Sequence, residues 1–261
     1  MALLEVKDVT KSFINDNKRI YVIDDIDFKV DKNEFLAIVG PSGCGKSTLL
    51  RIIGGLERPD MGEVLFHGKP VLAPTQEITM IFQQFGLLPW KTVLENVELP
   101  LEIHGIDKKT RRERALCFIK DVELEDFKGA YPYELSGGMK QRVGIARALA
   151  LQPEILLMDE PFSSLDALTA ESLRKEVLDI WTDKTNVTDT FIMVTHSIDE
   201  AVFMADRVIV VSCRPGRIIA DVKIDIPRPR YGHQRSKKFY GYVDKIKAMI
   251  TKKNNNNHSS K

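Results

Sequence analysis

Phe35-Leu36-Ala37-Ile38-Val39-Gly40-Pro41-Ser42-Gly43-Cys44-Gly45-Lys46-Ser47 is the stretch that decides the fold. Five consecutive apolar residues predict a short strand buried on both faces. The glycine-rich run that follows predicts a tight turn, and an apolar-periodic segment through Ile53 predicts a helix. Glycines without Cβ let backbone N–H groups turn inward around a polyphosphate. The helix then points its positive dipole end at the same anion. In this pattern Lys46 would reach the β- and γ-phosphates and the Ser47 hydroxyl would ligate Mg²⁺. Gly40, Pro41, Ser42, Gly43, Cys44, Gly45, Lys46, Ser47 and Thr48 together form the candidate nucleotide cradle.

The chain has 261 residues, enough for one large domain with a subdomain, and a net charge of +1. No global field draws it to nucleic acid. Cys44, Cys117 and Cys213 are far apart with no CxxC pair, which argues against a disulfide framework or a zinc site and fits a reducing compartment. The first residues carry charge too early for a signal peptide. No apolar stretch approaches the roughly 18 residues of a membrane span, so a membrane role requires a partner. From Arg228 onward, three Arg and seven Lys face Asp244 alone, so this tail carries +9 and the rest of the chain −8. Residues 228–261 are expected to form a basic C-terminal extension, disordered over the low-complexity end from Lys252. A solvated terminus is one account of its charge; contact with anionic lipid near a membrane-bound partner is the other.

Outward from the glycine loop, Leu3–Val9, Ile20–Ile23 and Ile26–Val30 have strand-length apolar patterns and predict an antiparallel layer. Glu63–Phe66 and Ile78–Phe82 are further short strands. Residues 89–150 are mostly helical: Thr92-Val93-Leu94-Glu95 is a capping box opening a helix that ends near Gly105. Lys108–Asp121 and Gly138–Leu151 are two more helices, the last halted before Pro153. Thereafter strand and helix alternate from Ile155 to Val211, predicting a parallel α/β sheet with its site at the strands' carboxyl ends.

Two further motifs carry chemistry. Ile155-Leu156-Leu157-Met158-Asp159-Glu160 is a buried strand ending in two acids. Asp159 would hold Mg²⁺ through its water shell, and Glu160 would accept a proton from, or orient, the attacking water. Leu135-Ser136-Gly137-Gly138-Met139 places a hydroxyl and two glycines at a helix start, a second anion cradle. One ATP does not need two cradles from one chain. Two copies paired head to tail would each lend Ser136, Gly137 and Gly138 to the other's γ-phosphate.

With these motifs in this order, the chain resembles an ATP-binding cassette ATPase, the nucleotide-binding subunit of an ABC transporter, over about residues 2–227. The resemblance implies an α/β P-loop NTPase (RecA-like) core with an antiparallel β subdomain and a helical subdomain inserted over about 86–150. It assigns Gln83 to the Q-loop, Leu135–Met139 to the signature, Ser164-Leu165-Asp166 to the D-loop and His196 to the switch histidine. Met139 stands where the signature commonly has Gln. Gln83 would touch both Mg²⁺ and the attacking water. His196 would contact the γ-phosphate and hold Glu160 and water in line, and Asp166 would organise the dimer. Phe13 would stack under adenine, with Tyr21 as the fallback.

The apolar loop Phe85-Gly86-Leu87-Leu88-Pro89-Trp90 lies where the family receives the coupling helix of its transmembrane permease, so Gln83–Trp90 is the expected docking region. Leu87–Trp90, the signature and Ile226-Pro227-Arg228-Pro229-Arg230 are similar to the nitrate, sulfonate and taurine importers. This implies a peripheral protein on the cytoplasmic membrane face, served indirectly by a periplasmic or extracellular solute-binding protein. A soluble ABC ATPase of DNA repair or translation is the alternative, against which stand a single cassette, no heptad insertion and an acidic body. A P-loop small-molecule kinase leaves Leu135–Met139 and His196 unexplained.

Overall fold

The computed structural model describes residues 2–183, 187–234 and 236–258. In chain order its elements are β1 (Leu4–Asn15), β2 (Lys18–Val30), β3 (Phe35–Val39), α1 (Lys46–Ile53), β4 (Met61–Phe66), β5 (Lys69–Pro70), β6 (Ile78–Ile81), α2 (Val93–Ile103), α3 (Lys108–Asp121), α4 (Gly137–Leu149), β7 (Ile155–Asp159), α5 (Ala167–Thr182), β8 (Thr190–Thr195), α6 (Ile198–Met204), β9 (Arg207–Val211), β10 (Ile218–Lys223) and α7 (Lys237–His258). They fall into two compact units, Met1–Pro74 with Thr190–Lys261, and Thr75–Asp189.

In the first unit β3 runs parallel to β8 on one side and β9 on the other. Flanked on both edges and covered by α6, its five apolar side chains have no solvent face, and all are fully buried. Burial of each Leu, Ile, Val or Phe contributes about 1.5–3 kcal/mol, so this strand is a rigid base for whatever follows it. β10 extends the ladder antiparallel to β9. A separate antiparallel sheet has the order β2-β1-β4-β5.

That antiparallel sheet is more continuous than the sequence pattern suggests. β1 runs on to Asn15, and the two segments expected at Ile20–Ile23 and Ile26–Val30 are one strand. The register shifts three times between Val6 and Ser12, and Asp8 and Asp25 adopt positive φ. These bulges absorb the polar residues that read as a strand break.

In the second unit β6 and β7 pair in parallel, and α2, α3, α4 and α5 complete it. α2 begins with the expected capping box: Thr92 N–H donates to Glu95 Oε2 at 2.8 Å and Glu95 N–H to Thr92 Oγ1 at 3.3 Å. The three helices α2, α3 and α4 fall within residues 86–150. The compact unit is wider than 86–150, because it also takes in β6, β7 and α5.

The C-terminal extension differs from its sequence-based description. Arg230 is only 2% exposed, and its guanidinium donates to the carbonyls of Ile226 (3.0 Å), Val202 (2.8 Å) and Ala205 (2.6 Å). It thereby satisfies the carbonyls that α6 leaves open at its C-terminus. Burial, reinforced by the charge of Arg228, lowers its pKa to about 10. Arg228 pairs with Asp206 at 2.8 Å. Arg228 and Arg230 thus face inward. Phe239, Val243 and Ile246 of α7 are buried at helical spacing, and α7 packs on α6 and β9. The helix continues through the asparagine run to His258, where the sequence predicts disorder; each added residue contributes a hydrogen bond once a helix is nucleated. Residues 259–261 lie outside the described residues. Among the described residues no helix is long and apolar enough to cross a membrane.

Candidate nucleotide site

The loop after β3 is a curl of backbone locked from several sides. Gly43 and Gly45 take φ of +74° and +104°, a region that costs other residues energy. At Gly40 a Cβ would sit 2.6 Å from the Val211 carbonyl oxygen, so only glycine lets the loop lie against the end of β9. Lys46, 5% exposed, donates to the carbonyls of Gly40 (2.9 Å) and Pro41 (3.1 Å). Its ammonium therefore sits inside the curl, where the motif requires a phosphate partner. Cys44 is buried, and burial pushes its thiol pKa up, so it packs rather than reacts. Ser47 and Thr48 are half-buried on the first turn of α1. His196 follows β8, whose last residue Thr195 lies in register with Val39. The histidine and Gly40 therefore leave the sheet side by side at its carboxyl edge, and His196 is exposed.

The second unit gathers the acidic partners. Ile81 is in register with Met158, so Gln83 and Glu160 emerge next to each other beyond β6 and β7. Gln83 Nε2 lies 3.4 Å from Glu160 Oε2. Asp159 is 3% exposed at the strand tip. Glu160 has φ +46°, a conformation rare for a residue with a side chain and concentrated at functional sites. Its carbonyl accepts from the Ser163 hydroxyl at 2.9 Å and the Ser163 N–H at 3.2 Å, which hold the turn. Asp166 caps α5, accepting from the Leu168 and Thr169 amides at 3.2 and 3.0 Å. Its contacts with Thr169 lead in holding its carboxyl below the usual range.

Ser136 caps α4 and accepts from the Met139 N–H at 3.3 Å. Ser136 and Gly137 are exposed, while Gly138 is buried against Thr169 of α5, where a Cβ would overlap the threonine methyl. Phe13 and Tyr21 are both partly exposed, at 43% and 46%. Phe13 pairs with Ile20 and Tyr21 with Ser12, so the two rings lie on opposite faces of the β1–β2 pair. One adenine can stack on only one of them.

The apolar loop from Gln83 to Trp90 is tied at several points. Buried Asn96 of α2 accepts from the Leu88 N–H at 2.8 Å and donates toward the Lys91 and Thr92 carbonyls, both at 2.9 Å. Arg147 of α4 donates to the carbonyls of Gly86 (2.6 Å) and Phe85 (3.0 Å), and burial lowers its pKa. Trp90 is left 69% exposed. Asn96 and Arg147 shape this loop, and sequence reasoning missed both. The loop's Gly and Pro breaks signal a shaped segment, but nothing in the sequence says which polar side chain shapes it.

The donor set suits the groups the motifs imply. A polyphosphate needs a curl too narrow for side chains and a nearby cation, and the loop with Lys46 has both. A hard divalent ion such as Mg²⁺ takes oxygen ligands, the chemistry that Ser47 offers in the first unit and that Asp159 and the Gln83 amide offer in the second.

Residues 23–163 match the ABC transporter family, and the chain belongs to it. It is an ATP-binding cassette ATPase with a P-loop α/β fold. Within that class it resembles the importer branch. An uncharacterised ABC transporter ATP-binding protein of Methanocaldococcus jannaschii is 52% identical over 95% of this chain and 91% of its own. A nitrate import ATP-binding protein of Synechocystis is 41% identical over 95% and 94%. A taurine import ATP-binding protein of Rhizobium johnstonii is 46% identical over 81% and 79%. The solved dimer of an ATP-binding cassette, in a post-hydrolysis state with ADP and phosphate bound, superimposes with a TM-score of 0.75. It is 36% identical over 86% of this chain and 100% of that one.

Proposed function

We propose that this chain is the ATP-hydrolysing subunit of an importer, driving uptake through a separate transmembrane permease. The solute is a small anion of the nitrate, sulfonate or taurine class. The chain works at the cytoplasmic face of the membrane as a head-to-tail pair with a second copy, and an extracellular binding protein delivers the solute. The relatives named above support the importer role, and the dimeric cassette supports the pair. The observation that carries the coupling is the loop from Gln83 to Trp90. One end touches Glu160, the other bears an exposed tryptophan, and Arg147 and Asn96 hold the middle. A large aromatic on a braced loop is a good anchor for a partner helix.

In this mechanism the Gly40–Thr48 run and Lys46 bind the phosphates, and Phe13 stacks on the base. Ser47, Asp159 and Gln83 would hold Mg²⁺, which neutralises charge on the transferring phosphoryl group. Glu160 accepts the proton of the attacking water, His196 orients the γ-phosphate, and ADP and phosphate are released. Ser136, Gly137 and Gly138 of each copy contact the γ-phosphate held by the other. ATP moves the permease because it binds the closed pair better than the open one.

The test is reconstitution with the neighbouring permease and binding protein in vesicles. Solute should stimulate ATP hydrolysis, and Trp90→Ala should abolish that stimulation while the isolated subunit still binds ATP. Stimulation that survives Trp90→Ala would remove the docking role.

A further inference from the structure

The phosphate loop is held from outside by a segment the motifs do not include. After β9 the chain turns through Ser212-Cys213-Arg214-Pro215-Gly216-Arg217 and runs back as β10. The turn is closed on itself: Ser212 N–H donates to the Arg217 carbonyl at 2.9 Å, and Arg217 N–H donates to the Ser212 hydroxyl at 3.0 Å. It is also stitched to β2, since Gly216 N–H donates to Val22 O at 2.9 Å and Asp24 N–H to Gly216 O at 3.0 Å. Arg217 forms an ion pair with Asp24. Gly216 lies so close to the Cys44 carbonyl that a Cβ there would overlap it.

From this anchored turn Arg214 reaches back over the loop. Its Nε and Nη2 donate to the Gly43 carbonyl at 3.1 and 2.9 Å, 171 residues away in sequence. A restraint on Gly43 matters because at φ +74° a glycine has many alternatives. The peptide unit is planar and trans, so fixing the Gly43 carbonyl toward Arg214 fixes the Cys44 N–H on the opposite edge. A guanidinium-to-carbonyl bond is charge-assisted and stronger than a neutral one. It also keeps a permanent positive charge beside a site for a polyanion.

We propose that Arg214 is a positioning residue for nucleotide binding. It holds the Gly43–Cys44 peptide in the orientation the phosphates require, so that ATP need not order the loop on arrival. This rests on the loop being the ATP site. Because Arg214 acts on the loop rather than on the attacking water, it affects affinity and not the chemical step, and it serves ADP and ATP alike.

The experiment uses the full chain as wild type, Arg214→Met, Arg214→Lys and Arg217→Met, the last removing the Asp24 ion pair but not the contact with Gly43. ATP and ADP affinities are measured by displacement of a fluorescent nucleotide, KM and kcat by phosphate release, and melting temperature without nucleotide. Arg214→Met should weaken both nucleotides roughly tenfold and raise KM by a similar factor, with kcat within about twofold. Its nucleotide-free melting temperature should match wild type. Arg214→Lys should recover part of the affinity, and Arg217→Met should bind nearly as wild type. Wild-type affinity and KM in Arg214→Met would overturn the inference. So would an affinity loss that Arg217→Met reproduces together with a lowered melting temperature. A wild-type chain that binds neither nucleotide would instead overturn the ATP-site assignment and this inference with it.

Discussion

The chain starts two helices with glycine-rich segments, and they are built differently. Around Gly40–Ser47 the backbone curls: two glycines have positive φ, Lys46 is folded into the curl, and Arg214 grips it from outside. Around Ser136–Met139 nothing curls. Ser136 caps α4 in an ordinary way, Gly138 is small because α5 packs on it, and only Ser136 and Gly137 face out. The first segment is a cup complete in one chain. The second is an open helix end, which under the proposed function presents donors to an anion held by a second copy. A shared composition of Gly and Ser therefore encodes two backbone arrangements, separated by whether a cation and positive-φ glycines accompany it.

That contrast is broken or sharpened by substitution. The largest effect belongs to Glu160→Gln, which should retain ATP affinity and lose about 10²–10⁴ of turnover, the usual range for a positioned base. Size-exclusion chromatography with ATP should show a persistent dimer, and undiminished phosphate release would end the role assigned to Glu160. Next, Lys46→Ala should weaken ATP binding by about 1.5–3 kcal/mol, or roughly ten- to a hundredfold. This loss must appear in an isolated chain, because the cup is complete there. Ser136→Ala should leave that single-chain affinity unchanged and reduce turnover at concentrations where the chain dimerises. Equal loss of affinity in the two variants would erase the distinction between cup and open end.

Smaller effects refine it. Stacking on a base is worth about 1–3 kcal/mol. Because Phe13 and Tyr21 lie on opposite faces, Phe13→Ala should weaken ATP by this amount and Tyr21→Ala should not, as calorimetry can read. A loss in both would mean that the sheet rearranges around the base. Met139→Gln should be the mildest change, within about 0.5 kcal/mol in stability by thermal melting, since Met139 contributes its backbone N–H to the cap.

Much of this was legible in residues close together in the chain. The Phe35–Ser47 run placed a strand, turn and helix, and Thr92 with Glu95 placed the start of α2, because both patterns rest on bonds between near neighbours. The strand tips carrying Gln83, Glu160 and His196 followed from apolar runs of strand length. β10 was not read, since its half-exposed residues lack a full apolar face, and α7 was hidden in what looked like a charged tail. Arg147, Arg214 and Arg230 were invisible for one shared reason. An arginine's role depends on which carbonyl it reaches, and those carbonyls lie 61, 171 and up to 28 residues away.

The sequence alone determined the ligand class and the family, because phosphate binding is done by a contiguous piece of backbone whose residue types leave few other options. Tertiary structure decided which face each aromatic takes, which glycines are small for packing rather than for phosphate, and which arginines hold the loops still. Those properties are set by contacts between segments remote in the chain, and local pattern carries no information about who the neighbour will be.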